Sequence, residues 1–198
     1  VAAGTATAAD AAGLLLSAVR DPGPVVFLDH KLLSAGWRDW LGGEGRPGVQ
    51  FDVPQDGAVG AVPDPVAAVP IGVATLRRDG TDVALISLGL GVHRALAAAD
   101  ELAGSGIEAA VLDLRSVAPL DSERIIELGR RTGRVVVIDE DYRRSGLSGE
   151  VAALLAEGDV PARFARVTVE STIPFAPHRE AEVLPSVDRI LQAVKSLG

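Results

Sequence analysis

Residues 83–114 read VALISLGLGVHRALAAADELAGSGIEAAVLDL. Val83 to Leu88 is a near-continuous apolar run, the kind found in strands buried on both faces. Val92, Leu96, Ala99 and Ala103 then recur at helical spacing. Ala109 to Leu114 is a second apolar strand run. Strand, helix and strand over about thirty residues form the crossover unit of a parallel sheet.

The pattern extends on either side. Ile71 to Leu76 predicts a strand with a turn at Asp79-Gly80. Asp121 caps a helix carrying Ile125, Ile126 and Leu128, closed by Gly133. Val135 to Ile138 predicts a strand, Leu147 to Ala156 a helix and Phe164 to Val169 a strand. Pro185 opens a last helix with Val187, Ile190, Leu191, Val194 and Leu197 on one face. The expected fold is α/β: a mostly parallel open sheet with helices on both faces. Its ligand or partner edge is expected at the carboxyl ends of the strands.

Upstream, Thr7 to Arg20 reads as a helix with Thr7 as cap and Asp10 as capping-box partner. Ala11, Leu14, Leu15 and Ala18 supply its apolar face, and Asp21-Pro22-Gly23-Pro24 stops it. Val25 to Leu28 is a short strand ending at Asp29-His30-Lys31. Ser34 to Pro70, rich in Gly and Pro, reads as loop. The expected division is therefore the tail of a preceding α/β domain (1–33), a linker or insertion (34–68) and the parallel domain (69–198).

The 198 residues carry a net charge of −8, which disfavours a nucleic-acid partner. No apolar run approaches the roughly 20 residues of a membrane span, so no membrane partner is expected. Val1 to Asp10 lacks the basic start and apolar centre of a secretory leader. The absence of Cys removes disulfides and thiolate chemistry and is compatible with a cytoplasmic location. Aromatic residues make up only 4%, so the core must be built from Ala, Val, Leu and Ile.

Few motifs suggest chemistry. Ser87-Leu88-Gly89-Leu90-Gly91 sits where a dinucleotide fingerprint would, but the third glycine position is Arg94, so it reads as a tight strand-to-helix turn. His93, in the first turn of the following helix, reads as a surface or interface residue rather than a base or phosphate ligand. His30 and His178 have no partner at metal-ligand spacing. Asp113 and Asp139-Glu140-Asp141 end strands. They could hold Mg²⁺, but no phosphate loop accompanies them, and a solvated or interface cluster is the preferred reading. The residues alone give a parallel α/β domain with no self-contained active site.

Several segments resemble one family in order. Residues 10–21 (DAAGLLLSAVRD) and 24–33 (PVVFLDHKLL) are similar to the helix and strand ending the pyrimidine-binding domain of thiamine-diphosphate-dependent 2-oxoacid dehydrogenase beta subunits. Val69-Pro70-Ile71-Gly72 resembles the entry to the transketolase-type C-terminal domain. Residues 112–121 (LDLRSVAPLD) are its most specific motif. Val137 to Tyr142, Gly146 to Glu150, Ile173 to Pro177 and Leu184 to Val187 follow.

The resemblance implies a pyruvate, branched-chain 2-oxoacid or acetoin dehydrogenase that decarboxylates a 2-oxo acid and passes the acyl group to lipoamide. It implies thiamine diphosphate and Mg²⁺, bound mainly by an alpha subunit and by a pyrimidine domain upstream of Val1. No catalytic or thiamine-binding residue is expected in this chain. The implied partners are an alpha subunit, a chain carrying the pyrimidine-binding domain, a second beta subunit and an acyltransferase core. The insertion at Gly36 to Pro63, with Trp37 and Trp40, departs from the family. So does Pro161, with Asp159 upstream, where relatives carry an acidic residue that touches the acyltransferase. A non-catalytic assembly module, a C-terminal subunit of a split transketolase-like enzyme, and an independent small-ligand-binding domain are the other readings.

One metal site is expected. A helix C-terminus leaves its last carbonyls without intrahelical donors, and Pro22 has no N–H to offer. Carbonyl oxygens of Ala18, Val19, Asp21 and Gly23 are read as converging on a large monovalent cation. The resemblance implies K⁺ at the matching Ala-Val-Arg-Asp turn, although Pro22-Gly23 departs from the Asn or Asp more usual there.

Overall fold

The computed structural model describes residues 2–4, 6–34 and 59–198. Trp37, Trp40 and most of the expected insertion lie outside the described residues. Residues 59–70 contain no helix or strand.

The large sheet has five strands in the order β3-β5-β4-β7-β8. They are β3 (Thr75–Arg78), β4 (Val83–Ser87), β5 (Ala109–Asp113), β7 (Arg134–Tyr142) and β8 (Arg163–Val169). All neighbours are parallel except the edge pair β3 and β5. Side chains alternate across the sheet. Val83, Leu85, Val111 and Val136 meet α2 (Leu90–Ala103) and α6 (Val187–Ser196) on one face. Ala84, Ile86, Leu112 and Val137 meet α3 (Ser122–Thr132) and α4 (Leu147–Glu157) on the other. Each fully buried Val, Leu or Ile contributes about 1.5–3 kcal/mol of transfer free energy.

Local chemistry sets several boundaries as expected. The Asp121 side chain accepts from the N–H of Arg124, and Gly133 ends α3 in the left-handed conformation at φ 63°. The tight turn after β4 also holds. Gly89 has φ 57°, and a Cβ on Gly91 would lie 2.1 Å from Ser87 Oγ, so only glycine lets α2 start this close to the strand.

Some expectations shift. The strand expected over Ile71 to Leu76 begins only at Thr75. The N–H of Gly72 donates to Ser116 Oγ and that of Ala74 to Asp121 Oδ2, so side chains take the donors a ladder would use. β7 runs to Tyr142, beyond the expected Ile138. Pro185 does not open the last helix. Ser186 caps α6, and a separate helix α5 (Pro177–Val183) precedes it.

The N-terminal segment is a second, smaller structure. β1 (Ala2–Gly4) pairs in parallel with β2 (Val26–Leu28) and antiparallel with β6 (Ser116–Ala118). Between β1 and β2 lies α1 (Ala8–Arg20), capped by Thr7 as expected. Its buried face is Asp10, Gly13 and Leu14, while Leu15 is half exposed. The expected apolar stripe is thus corrected, because polar contacts seat this helix.

Candidate functional site

The connection from β4 runs to α2 on one face, while those from β5 and β7 run to α3 and α4 on the other. Where neighbouring connections part, the carboxyl ends open a crevice, the usual ligand position in such sheets. Here the chain's own N-terminal segment enters it. Ala6 is buried in the α2 side of the core. Its carbonyl lies 2.6 Å from His93 Nε2, and because a carbonyl only accepts, His93 carries a proton on Nε2. His93 is therefore a buried contact between segments, the interface alternative of its expected reading.

His30 follows β2 and reaches the same edge. Its Nε2 lies 2.9 Å from Glu140 Oε2, and Glu140 Oε1 accepts from Arg94 Nη1 at 2.8 Å. Burial alone would raise the Glu140 pKa. The His30 hydrogen bond and charge, together with Arg94, outweigh it and hold the carboxyl below its ordinary value.

A second ionic group lies below β5. Buried Asp10 of α1 accepts from Arg77 and forms an ion pair with Arg115 Nη2 at 2.7 Å. Arg77 also reaches Asp113 Oδ2 at 2.7 Å, and Asp113 Oδ1 accepts from the N–H of Arg115 at 3.1 Å. Burial, then the charge of Arg77, lowers the Arg115 pKa, partly offset by Asp113. Ser17 Oγ donates to Val69 O at 2.6 Å, and the N–H of Val69 donates to Gly13 O at 3.0 Å. The N-terminal segment is thus fastened to the large domain by polar groups at several separate points.

The strand-end carboxylates take the interface side of the expected reading, with Glu140 meeting His30 and Asp113 meeting Arg77, while Asp141 is exposed. Asp139 is buried and accepts from the N–H of Asp141 and of Ser148, both at 3.0 Å, which ties the start of α4 to β7. Asp113 is committed to arginines. Among the described residues no three His, Cys, Asp or Glu side chains gather to hold a metal, so these residues do not fit the Mg²⁺ of a diphosphate site. No described helix is long and apolar enough to cross a membrane.

At the end of α1, the N–H of Asp21 donates to Ser17 O at 3.0 Å. Pro22 has no N–H for Ala18 O, and the N–H of Gly23, next in line for Val19 O, donates instead to Asp21 Oδ1 at 2.8 Å. Helical donors thus turn away from Ala18 and Val19, the first two of the four expected ligands.

The fold defines an open α/β domain whose carboxyl strand edge is contacted by a preceding segment of the same chain. Residues 72–190 match the transketolase C-terminal domain, and the chain belongs to that family. It is 37% identical over 190 residues to the acetoin:2,6-dichlorophenolindophenol oxidoreductase beta subunit of Cupriavidus necator, covering 94% of this chain and 50% of that protein. It is 37% identical over 194 residues to the 2-oxoisovalerate dehydrogenase beta subunit of Bacillus subtilis, covering 96% and 53%. To the pyruvate dehydrogenase E1 beta subunit of Rhizobium meliloti it is 34% identical over 195 residues, covering 96% and 38%. The chain thus spans about half the length, or less, of these relatives. Among solved structures, a split-gene transketolase in an inactive β4 tetramer superposes with a TM-score of 0.74 at 26% identity, covering 99% of this chain and 57% of that one.

Sequence reasoning missed Arg77, Arg94 and Arg115 as functional contacts. Arg94 and Arg115 sit beside the motifs it noticed, but nothing local to them announces a carboxylate partner far along the chain.

Proposed function

We propose that this chain is the C-terminal part of the beta subunit of a thiamine-diphosphate-dependent 2-oxoacid dehydrogenase, and that its task is assembly. The observation that carries this is the crevice at the carboxyl ends of β4 and β7, plugged by Ala6 and His30 instead of standing open for a ligand. A domain that spends its ligand edge on holding a neighbouring segment positions that segment for other chains. Thiamine diphosphate supplies the decarboxylation chemistry in such enzymes. Its binding groups belong to an alpha subunit and to the upstream pyrimidine domain. The second beta subunit and an acyltransferase core complete the proposed set of partners. K⁺ at the Ala18, Val19, Asp21 and Gly23 carbonyls would brace the end of α1 within that assembly. A separate C-terminal subunit of a split transketolase-like enzyme is the second reading, favoured by the likeness to the split-gene β chain.

The test is cofactor titration and activity. The purified chain alone is expected to bind no thiamine diphosphate and to decarboxylate nothing. Joined to its upstream half and an alpha subunit, it is expected to support decarboxylation of a 2-oxo acid. Micromolar cofactor binding by the chain alone would overturn the reading.

A further inference from the structure

A second crevice lies at the carboxyl edge of the same sheet. The connection leaving β7 runs to α4 on one face, whereas that leaving β8 passes through α5 before α6 packs on the other. β7 and β8 are parallel neighbours, paired as far as Tyr142 and Val169. Diverging connections at adjacent carboxyl ends are the geometry in which open α/β sheets bind ligands. A cavity of about 580 Å³ opens there, lined by Tyr142, Arg143, Arg144, Arg166, Val169 and Glu170. That volume falls within the range of small-molecule sites.

The lining runs against the charge of the chain. The protein carries −8 overall, yet this cavity gathers three arginines and one carboxylate. Local pairing does not absorb them. Arg143 Nη1 reaches Glu170 Oε1 only at 3.2 Å, with both side chains about half exposed. Arg166 Nη1 donates to the carbonyl of Arg143 at 3.1 Å, which leaves the rest of its guanidinium fork for other acceptors. Neither Arg144 nor Arg166 pairs with a carboxylate among the described residues. Tyr142 is 44% exposed and lines the same cavity.

We propose that the β7–β8 crevice binds a phosphate-bearing small molecule, its phosphoryl group held by Arg143, Arg144 and Arg166. Planar guanidinium forks match phosphate oxygens in pairs. The Tyr142 ring supplies a face for an organic group attached to the phosphate. Glu170 tunes the site, since an anion displaces it from Arg143 and Thr168 Oγ1, 3.2 Å away, keeps it as an acceptor. The site is separate from the segment-filled crevice and does not depend on the assembly role.

The test is calorimetric titration of the full chain, in its assembled complex with every thiamine diphosphate site filled beforehand, with sodium pyrophosphate at constant ionic strength. Saturable binding with a dissociation constant on the order of 0.1–1 mM is expected. Arg144→Glu, at an exposed position, is expected to weaken it by at least about 10-fold, and Arg166→Met similarly. Arg124→Ala, a surface arginine on α3, is expected to leave it unchanged. Circular dichroism confirms that each variant is folded. Should Arg166→Met fail that check, Arg144→Glu and the wild-type titration still decide. No saturation below about 10 mM overturns the proposal. So does equal affinity in Arg144→Glu and wild type. Binding of a polyglutamate peptide but not of pyrophosphate also overturns it, since the crevice would then be a protein-docking surface.

Discussion

His30 Nε2 and Glu140 Oε2 meet at 2.9 Å although 110 residues separate them in the chain. The pair joins the end of the N-terminal segment to the carboxyl end of β7. Arg94, buried near the start of α2, holds the other carboxylate oxygen at 2.8 Å. Removing Glu140 withdraws a carboxylate from a buried guanidinium and from the segment contact at once. Glu140→Ala is expected to cost about 2 kcal/mol, less than the cost of breaking a fully buried pair because part of this one is exposed. Urea unfolding of the full chain measures it, and a cost under about 0.5 kcal/mol would refute the role assigned to Glu140.

The same carboxylate gives a pH signature. Its folded pKa is depressed relative to the ordinary glutamate value of about 4.3. A depressed carboxylate contributes stability that is present above the unfolded pKa and is lost as pH falls through the folded one. Stability is therefore expected to drop below about pH 4.3, more steeply in wild type than in Glu140→Gln. Identical pH slopes for the two proteins would contradict this.

Gly13 makes room for the chain that enters the large domain. A Cβ there would lie 2.5 Å from Val69 Cγ2 and 2.8 Å from the carbonyl oxygen of Ala67. The backbone at 67–69 must then move, and with it the hydrogen bonds of Val69 to Gly13 and Ser17. Gly13→Ala raises helix propensity by up to about 1 kcal/mol. Overpacking against backbone costs about 1–3 kcal/mol. The net expectation is destabilisation, with faster proteolysis before residue 70. A variant more stable than wild type would show that this contact has slack.

Asp10 is the buried anion between two arginines. Asp10→Asn keeps the shape but removes the charge, leaving Arg77 with Asp113 and depriving Arg115 of its nearest carboxylate side chain. A cost of about 2–3 kcal/mol is expected, with loosening of α1 ahead of the large sheet. Hydrogen exchange resolves the two. Uniform loss of protection across both parts would argue against a seam at this point.

The turn after α1 gives a cation test. Thermal melts of the assembled complex in KCl and in a bulky organic cation chloride at equal ionic strength are expected to differ, with K⁺ raising the midpoint by a few degrees, about 1 kcal/mol. An unchanged midpoint, with only water at the Ala18, Val19, Asp21 and Gly23 carbonyls in high-resolution density, would remove the site.

What the sequence disclosed was local. Asp121 and Gly133 mark the ends of α3 because their capping chemistry is contained within a single turn. Val83 to Ser87 and Ala109 to Asp113 declare themselves because both faces of each strand are apolar and buried. Ala2–Gly4 gives no such signal. An Ala-Ala-Gly strand has little intrinsic preference, and pairing with Val26–Leu28 and with Ser116–Ala118 makes it one. For the same reason the crevice filling was hidden. His93 and Ala6 lie 87 residues apart, and periodicity has no access to that distance.

The small sheet has a consequence for synthesis on the ribosome. Its outer strand β6 comes from residues 116–118, and the contacts that seat α1 come from Arg77, Arg115 and Val69. Residues 2–30 therefore leave the ribosome well before the groups that hold them. Closing such long loops is slow. During that interval the edge formed by Val26 and Leu28, still about half exposed in the finished fold, is held through β1 without β6 on the far side of that strand. That interval is when a waiting partner chain or a chaperone would engage this end of the molecule.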